Sequence, residues 1–193
     1  MKELLSEIRD CQHCKAHLPL GPRPIVWAHP SAKLIIIGQA PGNKVHQSGI
    51  PWDDPSGKQL RQWLNISNSQ FYDETKVALV PMGFCYPGKG KGGDLPPRPE
   101  CAPMWHNTLI NNMPKAELIL LIGAYSQKYY LGSRAKKNLT ETVRSFQDYL
   151  PQFLPLPHPS PRNRFWQVKN PWFQKEVVPV LQFHTANIFG EDQ

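Results

Sequence analysis

Short, wholly apolar runs alternate with longer mixed segments along the chain. Runs rich in Ile, Leu and Val that end in Gly or Pro are typical of strands buried on both faces of a parallel sheet. Mixed segments with apolar residues three and four positions apart indicate helices. The pattern predicts strands within 32–42, 76–84, 116–122 and 153–160, and helices within 1–10, 57–66, 101–113, 123–131, 139–150 and 170–188.

Strands that alternate with helices predict an α/β fold, with a parallel sheet covered by helices on both faces. Ligands of such sheets bind outside the carboxyl ends of the strands. We therefore expect the loops after Ile37, Phe84, Ile122 and Leu156 to converge on one site. The length of 193 residues predicts a single domain, and Thr140 is the predicted N-cap of the helix at 139–150.

The charge balance favours a polyanionic partner. The chain has 22 Lys and Arg against 15 Asp and Glu, a net charge of +7, which is typical of proteins that bind nucleic acid. A merely basic protein is the alternative. The apolar runs are far shorter than the roughly 20 residues that cross a bilayer, and the acidic N-terminal segment has no apolar signal core. We expect a cytoplasmic protein without a membrane span.

Four cysteines form a pattern typical of a metal site. Cys11 and Cys14 have the C-x2-C spacing that lets two thiolates chelate one centre, and Cys85 and Cys101 border a loop rich in Gly, Pro and Lys. In a reducing compartment such cysteines are more often metal ligands or free thiols than disulfides. Zinc and a [4Fe–4S] cluster both accept four cysteines, so the ligand count leaves both open. Four unrelated cysteines are the alternative.

The loop after the first strand carries candidate ligand-binding groups. Gly38 and Gly42 allow close approach of the backbone to a ligand, and the Gln39 amide offers a donor and an acceptor. Trp52 supplies a ring on which an extruded base could stack. The carboxylates of Asp53 and Asp54 precede a helix, so one of them, or Ser56, could equally be its N-cap.

The segment from Leu156 to Phe173 surrounds one histidine with prolines, cations and aromatic rings. Prolines this dense predict a stiff loop and not a regular helix. His158 is either a structural loop residue or a functional residue that the prolines hold in place. The polar side chains that follow are either solvated or contact DNA phosphates; they are Ser160, Arg162, Asn163, Arg164 and Lys169.

Two further features of the sequence fit a nucleic-acid partner. Phe165 or Trp166 could wedge into a duplex where a base leaves it, or both could pack the last helix onto the core. Lys89 and Lys91, between two cysteines, could also contact phosphate.

Three segments and the cysteines together resemble the iron–sulfur branch of the uracil-DNA glycosylase superfamily, its families 4 and 5. The segment GQAPG (38–42) resembles the first motif, which reads GE-x-PG in family 4 and GLAPA in family 5. GIPWDDPSG (49–57) resembles the pattern G-R-x-F-x-G-D-x-S-G, and HPSPRN (158–163) resembles the second motif, HP followed by Ala or Ser. The four cysteines match the cluster ligands in order and approximate spacing. The resemblance runs from Cys11 to about Phe173.

This resemblance implies an α/β/α sandwich with four parallel strands and an enzyme of base-excision repair. The implied reaction is hydrolysis of the N-glycosidic bond of a flipped-out deoxyuridine in DNA. Asp54 would stabilise the cationic sugar or orient water, and His158 would donate to the departing uracil anion. Gly38, Gln39 and Ala40 would contact the base, with Trp52 stacked on it. The resemblance also implies a [4Fe–4S] cluster, with zinc as the alternative, held by Cys11, Cys14, Cys85 and Cys101.

Two departures from the family pattern leave the identity of the base open. The third residue of the first motif, an aspartate or asparagine in other branches, is Ala40, so a catalytic carboxylate must come from Asp54 or Asp53. The asparagine that usually precedes the third cysteine is absent from VALVPMGFC, and Asn43 is the candidate substitute. We expect a monomer that associates with the nucleoid during repair. The alternatives are a non-catalytic iron–sulfur DNA-binding module of the same fold and a zinc-stapled nucleotide-binding protein.

Overall fold

A computed structural model describes residues 1–190 and has a four-stranded parallel sheet at its centre. The strands are β1 (Leu34–Ile37), β2 (Val77–Leu79), β5 (Leu118–Ile122) and β6 (Phe153–Leu156), in the order β2-β1-β5-β6. Every residue of these strands is buried, as the apolar runs predict. The register pairs Leu34 with both Val77 and Leu118, and Ile119 with Phe153.

Alternate strand residues enter two separate cores, one on each face of the sheet. On one face Leu34, Ile36 and Leu120 pack against residues of the helices around Trp63 and Leu181. On the other face Ile35 and Leu121 pack with residues of the helices that contain Ile8, Leu109 and Leu131. Because side chains alternate along a strand, a sheet covered on both faces buries all of them. The structure therefore confirms the three-layer α/β/α fold.

Nine α-helices lie within the described residues, and several are accompanied by tighter or wider turns. The α-helices are α1 (Lys2–Arg9), α2 (Asn43–Ser48), α3 (Pro55–Leu64), α4 (Asn68–Phe71), α5 (Cys101–Asn111), α6 (Ala124–Leu131), α7 (Leu139–Arg144), α8 (Arg164–Lys169) and α9 (Val178–Gly190). Residues Lys15–His17, Gly132–Arg134, Phe146–Tyr149 and Pro161–Asn163 form 3-10 turns, and Phe173–Val177 is π-helical. No helix of residues 1–190 is long and apolar enough to cross a membrane.

Two local predictions were wrong. The N-cap of α7 is Asn138, whose side chain accepts from the Glu141 N–H at 2.9 Å, whereas Thr140 accepts a hydrogen bond from the Trp166 indole at 2.8 Å. The segment from Leu156 to Phe173 is also not a loop throughout, since it contains a 3-10 turn and α8. Pro161 occupies the first position of that turn, where a missing N–H removes no hydrogen bond.

The loop between Cys85 and Cys101 contains an unpredicted hairpin. Its strands are β3 (Lys89–Gly90) and β4 (Gly93–Asp94), which pair antiparallel. Gly88 and Gly93 have φ of 102° and 152°, which only glycine adopts readily. Glycine at these positions lets a segment without β-branched residues form a hairpin.

Candidate active site

A cavity opens where β1 ends. Residues from the segment after β1, from the GIPWDDPSG segment and from the loop after β6 surround it, as expected for a parallel sheet. The lining residues are Ile25, Gly38, Gln39, Ala40, Pro41, Gly42, Val45, Pro51, Trp52, Asp54, Pro81 and His158.

Trp52 lies across the backbone of the strand end. A methyl group on Gly38 would be 2.7 Å from Cζ2 of Trp52, and one on Gly57 would be 1.8 Å from the Trp52 carbonyl oxygen. Both positions therefore need glycine. The indole is also stacked on the His158 ring, with centroids 5.9 Å apart and planes at 27°. Two of the predicted site residues thus form adjoining walls of one cavity.

Asp54 is both a helix cap and a cavity residue. Its Oδ1 accepts from the Gly57 N–H at 2.8 Å, which fixes the carboxylate at the N-terminus of α3. Its other oxygen makes no hydrogen bond within residues 1–190. Asp53 lines neither the cavity nor its mouth and lies on a polar groove outside α3, near Lys44 and Lys58. The capping and the catalytic interpretations of Asp54 are therefore compatible.

The environment of His158 selects one neutral tautomer. Burial lowers the pKa of the imidazole below its ordinary value, an effect that the nearby negative charge of Asp54 partly opposes. The ring is therefore neutral at neutral pH. Its Nδ1 accepts from the Ser160 N–H at 3.2 Å, so the proton is on Nε2. His158 is then a hydrogen-bond donor at Nε2.

The other polar residues of HPSPRN hold this loop together. Asn163 donates through Nδ2 to the His158 carbonyl at 2.8 Å, and the Ser160 hydroxyl accepts from the Arg162 N–H at 3.3 Å. Arg162 donates through Nη1 to the Gly92 carbonyl at 2.9 Å and so attaches the loop to the β3–β4 hairpin. All three line the wider mouth of the cavity. Arg164 is exposed and has no partner among the described residues.

The first motif supplies backbone and one amide to the cavity. The backbone carbonyls of Gly38 and Gln39 accept from the N–H groups of Met82 and Gly83 at 2.9 and 3.0 Å. The Gln39 side-chain amide has no hydrogen-bond partner within residues 1–190. Ala40 lines the cavity beside Gln39.

The structure does not bring Asn43 to the cavity. It is exposed and begins α2, which turns away after the N-cap residue Gly42. Pro81 instead occupies the cavity wall in the stretch where the family pattern has asparagine. Buried His106 holds it through Nε2, which lies 3.0 Å from the Pro81 carbonyl. No sequence motif predicted the contact between Pro81 and His106, because the two residues are 25 positions apart and meet only in the folded protein.

The four cysteines line one separate cavity. Cys101 Sγ accepts from the Phe84 N–H at 3.4 Å, and Arg98 lines the same cavity. Burial raises the pKa of Cys85 to about 11 and of Cys101 to about 12. Such thiols need a compensating positive charge to ionise, and a metal centre supplies it.

Within residues 1–190, no three His, Cys, Asp or Glu side chains are arranged to hold one metal ion. By its chemistry, a donor set of four thiols fits both zinc and a [4Fe–4S] cluster.

Comparison with known proteins assigns the class. Residues 26–182 match the model of the uracil DNA glycosylase superfamily, and the chain belongs to that superfamily. It is 20% identical over 186 residues to the type-4 uracil-DNA glycosylase of Sulfurisphaera tokodaii, an alignment that covers 96% of this chain and 74% of the relative.

We expect Gly38→Ala to destabilise the protein, because the added methyl group must displace the Trp52 ring. The free energy of unfolding should fall by about 1–3 kcal/mol, as for other overpacked sites, and urea unfolding would measure it. Gly190→Ala is the matched control, since its methyl group would meet no atom of residues 1–190 within 4 Å. Equal stability of the two variants would show that Trp52 does not pack on Gly38 in solution.

Proposed function

We propose that this protein is a DNA glycosylase that removes uracil, or another deaminated base, from DNA in base-excision repair. The observation that carries the proposal is that Gln39, Trp52, Asp54 and His158, from three separate segments, line one cavity. Membership of the superfamily supports it. The likeness to a protein named as a type-4 uracil-DNA glycosylase favours uracil as the base.

The proposed reaction breaks the bond between C1′ of the sugar and the base nitrogen. The electron pair of that bond leaves with the base, and a water oxygen bonds to C1′. Asp54, with one oxygen held by Gly57, presents the other to the cationic sugar and takes the proton of the attacking water. His158 donates from Nε2 to the carbonyl oxygen on which the negative charge of the base develops. A neutral donor with a fixed ring suits this task because it needs no reorganisation.

Trp52 and Gln39 are the proposed groups that recognise the base. The indole offers a stacking face, which accepts any base, and the unpaired Gln39 amide offers both a donor and an acceptor. The rest of the wall is apolar, from Ile25, Val45, Pro51 and Pro81. Uracil is the proposed substrate, and such a wall is compatible with other deaminated bases.

The proposed DNA surface surrounds the mouth of the cavity. Arg164, which follows Asn163 in the chain, is exposed and has no partner among residues 1–190, and Lys89 and Lys91 are exposed on the hairpin that Arg162 ties to the same loop. The side chain of Phe165 is 82% exposed, whereas Trp166 bonds to Thr140 and packs on Phe173. We therefore assign the wedge role to Phe165 and the packing role to Trp166. Acting on DNA, the protein would work in the cytoplasm with the nucleoid.

We further propose that Cys11, Cys14, Cys85 and Cys101 hold a [4Fe–4S] cluster. Their common cavity and the Phe84 N–H that donates to Cys101 support this assignment. When bound, the cluster would join α1, the 85–101 loop and α5 as a structural centre.

Asp54→Asn and His158→Gln should each abolish most of the excision of uracil, with losses of about 100-fold or more. Oligonucleotides containing uracil, single- and double-stranded, are incubated with the protein, and abasic sites are cleaved with alkali. Burial lowers the pKa of His158 below 6.5, the ordinary pKa of histidine. The imidazole therefore stays mostly neutral as the pH falls to 6.5 and gains its second proton at lower pH. Excision should therefore stay level down to pH 6.5 and decline further into acid.

His29→Gln, a change at an exposed histidine, is the control and should retain full activity. If the wild type performs no better than Asp54→Asn and His158→Gln on every deaminated base tested, the protein is not a glycosylase. The non-catalytic DNA-binding module would then be the better description.

Phe165→Ala should slow excision from duplex DNA more than from single strands, because a wedge is needed only where a base must leave a stack. We expect a loss of several-fold on duplex. Phe183→Ala, at another exposed phenylalanine, serves as the control. An equal effect of Phe165→Ala on both substrates would argue against the wedge.

Protein purified without oxygen should be brown and contain about four iron and four sulfide per chain. Cys85→Ser should lose most of the iron and the visible absorption. A colourless protein with one zinc per chain would rule out the cluster and favour the zinc-stapled alternative.

A further inference from the structure

The backbone of Trp52 has a conformation that a tryptophan rarely adopts. Its φ is 59°, and among residues 1–190 the only other non-glycine with positive φ is Asn65, at the end of α3. The left-handed region costs a residue with a Cβ roughly 1–2 kcal/mol. Such a conformation persists only where the surroundings enforce it.

Two side chains hold the peptide groups on either side of Trp52. The Tyr72 hydroxyl donates to the Pro51 carbonyl at 3.1 Å, and Arg61 Nη1 lies 3.4 Å from the Trp52 carbonyl. Arg61 Nη1 also lies 3.4 Å from the Tyr72 hydroxyl oxygen. Both carbonyls that flank the strained residue are therefore held from the same side.

The two holding side chains are themselves well supported. The Arg61 guanidinium lies over the rings of Phe71 and Tyr72, 5.0 and 5.6 Å from their centroids. Phe71 is fully buried. The rings of Trp27 and Tyr72 pack edge to face, with their centroids 5.5 Å apart. Burial also raises the pKa of Tyr72, so its hydroxyl remains a donor.

We propose that Arg61 and Tyr72 form a clamp that positions Trp52 in the base cavity. Neither residue lines that cavity or its mouth, so they are positioning residues that act through Trp52. The clamp holds the left-handed turn, which lays the indole on Gly38 and directs the following residues to the N-cap at Asp54. Its effect on excision rests on the proposed glycosylase function, whereas its effect on the position of Trp52 does not.

The test follows Trp52 by fluorine NMR of protein labelled with 5-fluorotryptophan. The chain has six tryptophans, and Trp52→Phe identifies the signal of residue 52. Tyr72→Phe removes one hydroxyl and keeps the ring, and Arg61→Met removes the donor and keeps an apolar chain over Phe71. Tyr125→Phe, at an exposed tyrosine without a hydrogen bond among the described residues, is the matched control.

We expect the Trp52 signal to shift or broaden in both clamp variants and to stay unchanged in Tyr125→Phe. The signals of Trp63, Trp105, Trp166 and Trp172 should not move, which shows that the fold is intact. Single-turnover excision of uracil should fall roughly tenfold or more, as expected for a misplaced contact group. Affinity for DNA without uracil should stay the same, because the clamp lies away from the mouth.

The proposal is overturned if the Trp52 signal is unchanged in both variants, or if it moves while excision stays at the wild-type rate. If Tyr72→Phe loses the dispersed signals of a folded protein, the spectrum and the excision rate of Arg61→Met decide whether the clamp exists. If the wild type excises no base at all, the proposed function fails, and the fluorine spectra alone decide the clamp.

Discussion

The packing of the Trp52 indole on the backbone of Gly38 joins two separate parts of the chain at the end of the central strand. β1 is an interior strand and wholly buried, so its end is one of the most fixed points in the molecule. The indole can approach only because residue 38 has no side chain, and the turn can close only because residue 57 has none. Asp54, between these contacts, then has its carboxylate fixed by the N-terminus of α3.

The opposite side of the cavity depends on the ends of β5 and β6. Buried Gln127 donates through Nε2 to the Leu121 and Leu156 carbonyls at 3.2 and 2.9 Å, and so ties these strand ends together. His158 lies two residues beyond that tie. The Ser160 N–H fixes the tautomer of its ring, and Asn163 holds its carbonyl. Ser160 and Asn163, which the sequence predicts as DNA contacts, thus hold the His158 loop in place.

Sequence patterns predicted the features that depend on neighbours in the chain. The buried strands and the N-cap at residues 53–56 follow from periodicity and local hydrogen bonding, and these predictions were confirmed. The predictions that failed had different causes. Thr140 accepts from the distant Trp166 indole, a tertiary contact, while Asn138 caps α7. Pro161 starts a 3-10 turn, a local position where proline removes no hydrogen bond. No sequence motif marks Arg61 and Tyr72, because they act on the backbone of Pro51 and Trp52, which lies 9 to 21 residues earlier in the chain.

The cysteine cavity and the cavity at the end of β1 are connected through residues that carry no charge at neutral pH. The Phe84 N–H donates to Cys101, the Phe84 ring stacks on His106 at 5.5 Å, and His106 holds the Pro81 carbonyl at the cavity wall. Burial lowers the pKa of His106 to about 4, so this contact is neutral in the working range. The wall that it fixes offers proline where an amide would read the edge of the base. A site that must satisfy a buried amide rejects bases that lack its partner, whereas an apolar wall discriminates weakly. Under the proposed function, base selection would therefore depend on Gln39 and on the shape that Trp52 gives to the cavity, and not on the wall that the cysteine loop supports.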